Sequence, residues 1–256
     1  MQNKIVPLLP VSKIYVEVFG GGASILFAKQ PSGFEIYNDI DSGLYNFFSV
    51  ISDEEKFKLF YNAVSKLPYS RELYDCSLRK LKQDKEQNEI TKAVAWFICI
   101  RQGFAGTIHG GWNASLMKNE ASVWVNTIKR LPEIHKRLHP VTIEKMDWDR
   151  LIDYYDSIDT LFYFDPPYVL STRVGGKLYG NEMTDSDHVK LVERIQNVKG
   201  QFVLSGYDNE IYKILNKYEM HKFDVPCHVE RIRKGESRSR RTEVLWIKRY
   251  LENTLF

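Results

Sequence analysis

Leu161-Phe162-Tyr163-Phe164-Asp165-Pro166-Pro167-Tyr168 decides the fold. Its first four residues are apolar or aromatic with no polar alternation, the pattern of a strand covered on both faces. Pro166 and Pro167 cannot donate to a ladder, so they end it. Asp165 and Tyr168 are left just past the carboxyl end of a strand, where open α/β sheets place their ligands. The plain alternative is a strand-ending turn with a capping aspartate.

The Asp165 carboxylate and the Pro166 carbonyl are two acceptors in sequence. Aimed at the two hydrogens of an exocyclic amine, such a pair would draw the nitrogen lone pair out of ring conjugation. Tyr168 offers a flat face on which an extruded base can stack.

Upstream, Ile14 to Phe19 reads as a first strand, Gly20-Gly21-Gly22 as a turn, and Ala23 to Ala28 as the start of a helix. That layout lets a ligand approach bare backbone, although a tight turn between strand and helix would look the same. Phe34 to Tyr37 reads as a second strand running into Asn38-Asp39. An acid about 20 positions past such glycines is where a carboxylate meets ribose hydroxyls. The loop has no phosphate-binding Lys or Arg, which suits S-adenosylmethionine (SAM) better than a dinucleotide. Val141 to Glu144 predicts a further strand, with Asp147 either at its edge or capping a helix over Trp148 to Tyr155.

Composition narrows the classes. With 256 residues and 43% hydrophobic content, the chain can bury a core as one large domain or as a catalytic domain with an inserted lobe. It has no 18-residue apolar run and no signal-peptide pattern in Met1 to Pro10. Cys76, Cys99 and Cys227 are scattered, without zinc spacing, so the expectation is a reduced, cytoplasmic protein with no metal. The net charge of +3 does not diagnose nucleic-acid binding.

Between Ser52 and Leu151 no further strand–helix repeat is evident. Glu54 to Lys66 and Asp75 to Lys85 predict charged surface helices, and Ile90 to Arg101 a buried one. Arg101 to Lys118 alternates glycines, aromatics and polar donors, as in a loop or hairpin. Lys129-Arg130, His135, Lys136-Arg137 and His139 suit phosphate contacts or an ordinary exposed helix. Downstream of Tyr168, residues 171–183 predict a mobile loop. Thr184 to Asp187 predicts a capping box, opening a helix with Val189, Val192 and Ile195 on one face and Gly200 at its end. Phe202 to Tyr207 predicts a strand that ends in small and aromatic residues. Cys227 to Ile232 and Val244 to Lys248 predict a hairpin around the basic loop Arg233 to Arg241.

Tyr15-Val16-Glu17-Val18-Phe19-Gly20-Gly21-Gly22-Ala23-Ser24 followed by Asp165-Pro166-Pro167-Tyr168 resembles the Dam-type (D12 class) adenine-N6 DNA methyltransferases, in the same motif order. The family usually has Pro where Val18 stands. It also carries a Gly-Gly-Lys segment upstream of the first strand; this chain starts too late to contain one, and Lys4 lies too close to Glu17 to replace it. The resemblance runs from Ile14 to Tyr250 and is weakest between Ser52 and Leu151.

The resemblance implies an α/β fold, a Rossmann-like SAM-dependent methyltransferase sheet of seven mixed strands. Residues 1–51 and 140–256 would form the catalytic domain, and 52–139 an inserted, mainly helical target-recognition region. It implies catalysis by Asp165, Pro166 and Tyr168. SAM contacts would come from Glu17, Phe19, Gly20, Gly22, Asp39, Asp147 and Asp165, and DNA contacts from Arg101, Lys118, Arg238 and Arg240. The expected enzyme is a monomer of bacterial or phage type, acting on double-stranded DNA without membrane or obligate partner. RNA or cytosine-N4 methylation would use the same acceptor pair. Protein-glutamine methyltransferases usually carry Asn where Asp165 stands. An inactive DNA-binding relic is the rival from another class.

Overall fold

The computed structural model describes residues 1–83, 87–108, 110–115, 118–169, 182–226 and 240–250. They form two compact units: Met1–Ile40 with Met146–Phe256, and Asp41–Lys145. In chain order the first contributes α1 (Gln2–Ile5), β1 (Ile14–Glu17), α2 (Ser24–Ala28) and β2 (Phe34–Asn38). The second holds α3 (Ser42–Ser52), α4 (Glu54–Val64), α5 (Arg71–Lys82), α6 (Glu89–Gln102), α7 (Glu120–Leu138) and β3 (Thr142–Glu144). The first unit resumes with α8 (Trp148–Tyr155), β4 (Thr160–Phe164), α9 (Asp185–Gln196), β5 (Gln201–Tyr207), β6 (Glu219–Pro226) and β7 (Arg240–Lys248).

The fold is α/β, with a mixed seven-stranded sheet in which the first unit's strands run β2-β1-β4-β5-β7-β6. β1 pairs in parallel with β2 on one side and β4 on the other, and β5 continues in parallel from β4. The chain thus leaves β1 in opposite directions, making a switch point between β1 and β4. β7 is antiparallel to both β5 and β6. All five residues of β4 are buried, as its unbroken apolar run requires of a strand covered on both faces. Val16, Ile36, Phe162, Phe164, Phe202, Leu204 and Trp246 join Leu151, Ile152, Leu191 and Ile195 of the flanking helices in one core.

Three expectations change here. The Thr184–Asp187 capping box forms, but α9 buries His188, Leu191, Val192 and Ile195 while Val189 is exposed. A period of 3.6 residues puts position 188, not 189, on the face of 191, 192 and 195. Asn197, not Gly200, caps α9; a Cβ on Gly200 would stand 2.5 Å from the Thr160 carbonyl oxygen, so that glycine serves close approach to the chain entering β4. The strand before β7 is Glu219–Pro226. The predicted strand over Cys227 to Ile232, the basic loop through Arg238, and most of the predicted loop after Tyr168 lie outside the described residues.

The second unit is mainly helical, with one short strand, and is built on rings. Phe47 contacts Phe48, Phe60, Trp96 and Phe97, and Trp124 packs on Phe97 while its indole N–H donates to the Leu67 carbonyl. Because α3 buries Phe47, Phe48, Val50 and Ile51, it clusters with these helices, and the second unit begins at Asp41. His135 and His139 each place Nδ1 against a carbonyl at the end of α3, Ile51 and Ser52, and His135 stacks on Phe57. These two histidines tie helices together. Among the described residues no helix is long and apolar enough to cross a membrane.

Candidate active site

Asp39, Gly20 and Asp165 follow the carboxyl ends of β2, β1 and β4, three strands adjacent in the sheet. The glycine turn is held from two sides by β2. The Gly21 N–H donates to Asp39 Oδ2 at 2.8 Å, and the Tyr37 hydroxyl donates to the Gly21 carbonyl at 2.8 Å. Gly21 has φ +47° and Ala23 φ +53°, left-handed conformations that an alanine adopts only under strain. Gly22 is exposed, and a Cβ there would meet nothing within 4 Å. Gly20 is different: a Cβ would lie 2.2 Å from the Tyr37 ring. Gly20→Ala is therefore expected to destabilise the protein by about 1–3 kcal/mol through overpacking. Thermal melts beside Gly22→Ala, which should melt like the parent, check this.

Glu17 is only 2% exposed. Its Oε2 accepts from the Tyr15 hydroxyl at 3.0 Å and from the Leu26 N–H at 2.9 Å. The residue thus braces α2 from beneath the turn, with both hydrogen bonds internal. α2 itself has only five residues and is no anion-binding helix end. Burial pushes the Glu17 carboxyl up to about 8, aided by the Asp165 charge and opposed by its two donors and Lys29.

Asn38 organises the next acid. Its Nδ2 donates to the carbonyls of Val18 and Met146, and its Oδ1 accepts from the Met146 N–H at 2.7 Å. One side chain thereby fastens the ends of β1 and β2 to the segment that carries Asp147. Asp147 is exposed and caps α8 by accepting from the Asp149 N–H.

Asp165 Oδ1 accepts from the Ser205 hydroxyl at 2.7 Å. The register explains the pair: Phe164 lies beside Leu204, so the next residues of β4 and β5 are neighbours. Oδ2 has no partner among the described residues. Asp165 is crowded by protein yet keeps an exposed surface, as a group on the floor of an open cleft does. Desolvation raises its carboxyl to about 6, with Glu243 adding to the rise and Ser205 opposing it. Water reaching one side moderates that rise, so a ligand covering the carboxylate would push it further.

Pro166 is buried and Tyr168 half-buried. Tyr168 stacks on Tyr207 with ring centroids 4.3 Å apart and planes at 29°. One tyrosine face is thus covered by protein. Phe19 is half-buried and meets Phe164 at 6.5 Å.

In the second unit, Arg101 is exposed at the end of α6 and donates to Thr127 Oγ1 at 3.0 Å, not to a carboxylate. Desolvation and the neighbouring Arg130 lower its pKa. Lys118 is exposed, and Arg240 opens β7.

Sequence reasoning missed Tyr37, Asn38 and Ser205. Each stands within two residues of the end of a recognisable strand, and that position is the available signal. Among the described residues no three His, Cys, Asp or Glu side chains gather as a metal site. A depression lined by Val11, Lys13, Ile158, Asp159, Gln201 and Tyr250 lies at the opposite, amino ends of β1, β4 and β5, away from these acids.

No curated protein matches the chain. The model of the D12 class N6 adenine-specific DNA methyltransferases matches residues 1–226 of the 256, a span holding the glycine turn, all three strand-edge acids and Tyr168. The chain belongs to the D12 class N6 adenine-specific DNA methyltransferase family.

Proposed function

We propose that this protein transfers a methyl group from SAM to N6 of an adenine turned out of double-stranded DNA. The observation that carries the reading is Asp165, fixed by Ser205 beside Tyr168 on the same sheet edge as the glycine turn and Asp39. SAM, when bound, supplies an electrophilic methyl on a positively charged sulfonium. An edge carrying Asp39, Asp147 and Asp165 suits such a cationic ligand, and the exposed Gly22 leaves it room.

Asp39 would hold the ribose hydroxyls, and Gly20 to Gly22 would run under the methionine part. Asp147 and Phe19 would flank the adenine end, with Glu17 supporting the turn from below. Asp165 Oδ2 and the Pro166 carbonyl accept the two N6 hydrogens, which localises the nitrogen lone pair for attack in line with the methyl. Asp165 also stands where the proton released by the methylated nitrogen can be taken. Tyr168 stacks on the base. Positioning and electrostatics supply the rate. Arg101, with a second cation beside it and a hydroxyl rather than a carboxylate as its hydrogen-bond partner, suits DNA phosphates, as do Lys118 and Arg240. The enzyme would act as a monomer in a bacterial or phage-infected cytoplasm.

The test is a methylation assay with labelled SAM on unmethylated genomic DNA, followed by nucleoside analysis. N6-methyladenine is expected. N4-methylcytosine, or label in RNA alone, would overturn the target, and absence of SAM binding by the folded protein would favour a DNA-binding relic. Asp39→Ala should weaken SAM binding about 10- to 100-fold, the worth of charge-assisted hydrogen bonds. Calorimetry measures it, with a thermal melt to separate loosening of Gly21 from loss of the ligand contact.

A further inference from the structure

β7 runs against β5, so its first residues, not its last, arrive at the edge where the parallel strands end. The register sets Glu243 opposite Tyr207. Residues directly opposite in an antiparallel pair project to the same face, so the Glu243 carboxylate lies beside the Tyr207 ring. Tyr207 in turn is stacked under Tyr168. The Tyr168 hydroxyl donates to the half-buried Glu243 carboxylate, and Lys4 also lies near it. Tyr168 is therefore held at two points, its ring face by Tyr207 and its tip by Glu243. A tyrosine pinned only by stacking could slide or tilt in its plane, whereas the second point fixes the plane's position.

We propose that Glu243 is a positioning residue for methyl transfer, holding Tyr168 against Tyr207 so that the target base meets a platform already in place. This rests on the reading of Tyr168 as the base platform. Pre-set geometry matters because misplacement by about 1 Å can cost about a hundredfold in rate.

The test compares Glu243→Ala, Glu243→Gln, Tyr168→Phe and the double variant Glu243→Ala/Tyr168→Phe. Glu243→Ala and Tyr168→Phe should each lower kcat about 10- to 100-fold, leaving KM for SAM within about twofold. The double variant should lose no more than either single one, because both break the same contact. Glu243→Gln keeps an acceptor for the hydroxyl and should retain activity within about threefold. Independently, in protein carrying 13C-labelled tyrosine, the Tyr168 ring signal should move in Glu243→Ala and stay in Glu243→Gln. Additive losses, a loss confined to KM for SAM, or an unmoved ring signal would overturn the proposal. A wild-type protein that does not methylate DNA would count against the function instead, and the ring signal would still decide whether Glu243 holds Tyr168.

Discussion

Asp165→Ala is expected to lower methyl transfer about a thousandfold, the scale of losing a preorganised electrostatic group at the reacting atoms. SAM binding and folding should survive. The amine needs an ionised acceptor, and desolvation holds the Asp165 pKa near 6 rather than 3.8. Wild-type kcat/KM should therefore climb with pH through about 6 and level off above it. Stability runs the other way. A folded-state pKa above the unfolded one means the native state keeps its proton longer. The group's stabilisation is full below about pH 4 and is lost as pH rises through 6. At pH 8 the alanine variant should accordingly melt no lower than wild type, with the lost Ser205 hydrogen bond as the opposing effect. Loss of rate without loss of stability is the signature of a group placed for chemistry. Single-turnover methylation and melts at pH 5 and 8 measure both, and a variant rate above about a hundredth of wild type would sink the assignment.

The second large effect is structural. Glu17→Ala should cost about 2–4 kcal/mol, because it removes the acceptor that the Leu26 N–H and the Tyr15 hydroxyl share in a buried site and leaves a cavity. Glu17→Gln should fold like wild type near pH 7, since a carboxyl raised to about 8 is already neutral there. The sign again follows from the direction of the shift. Stabilisation by the protonated carboxyl is complete below its ordinary value of 4.5 and disappears as pH rises through 8. Wild type should lose stability relative to Glu17→Gln across that window, and curves that stay parallel from pH 5 to 9 would refute a buried neutral Glu17. Because the Asp165 charge helps to raise Glu17, Asp165→Ala should shift the window to lower pH.

These two acids also show what the chain made legible. Asp165 could be read from its neighbours, because an unbroken apolar run, two prolines and a tyrosine leave one geometry for the residue between them. Asp39 could be read by spacing from the glycines. Glu17 could not, because its place in the motif suggests the ligand while its contacts face inward, to Tyr15 and Leu26. Ser205 and Glu243 needed the strand order, which sets residues 36 or 40 positions apart side by side. No local pattern announces that β7 enters antiparallel between β5 and β6. The second unit was least legible. The burial of α3 among aromatic helices, and the histidines that close onto its end, are products of packing rather than of spacing.

Asn38 has a further consequence for how the protein ages. Its amide nitrogen faces two carbonyl oxygens, so hydrolysis of that amide to a carboxylate would set three oxygen acceptors against one another and release the segment bearing Asp147. Asn38 is also 2% exposed and ends a strand, where extended backbone and the bonds that hold its amide resist the ring closure that deamidation requires. The arrangement that makes this side chain necessary also shelters it from its most common chemical decay.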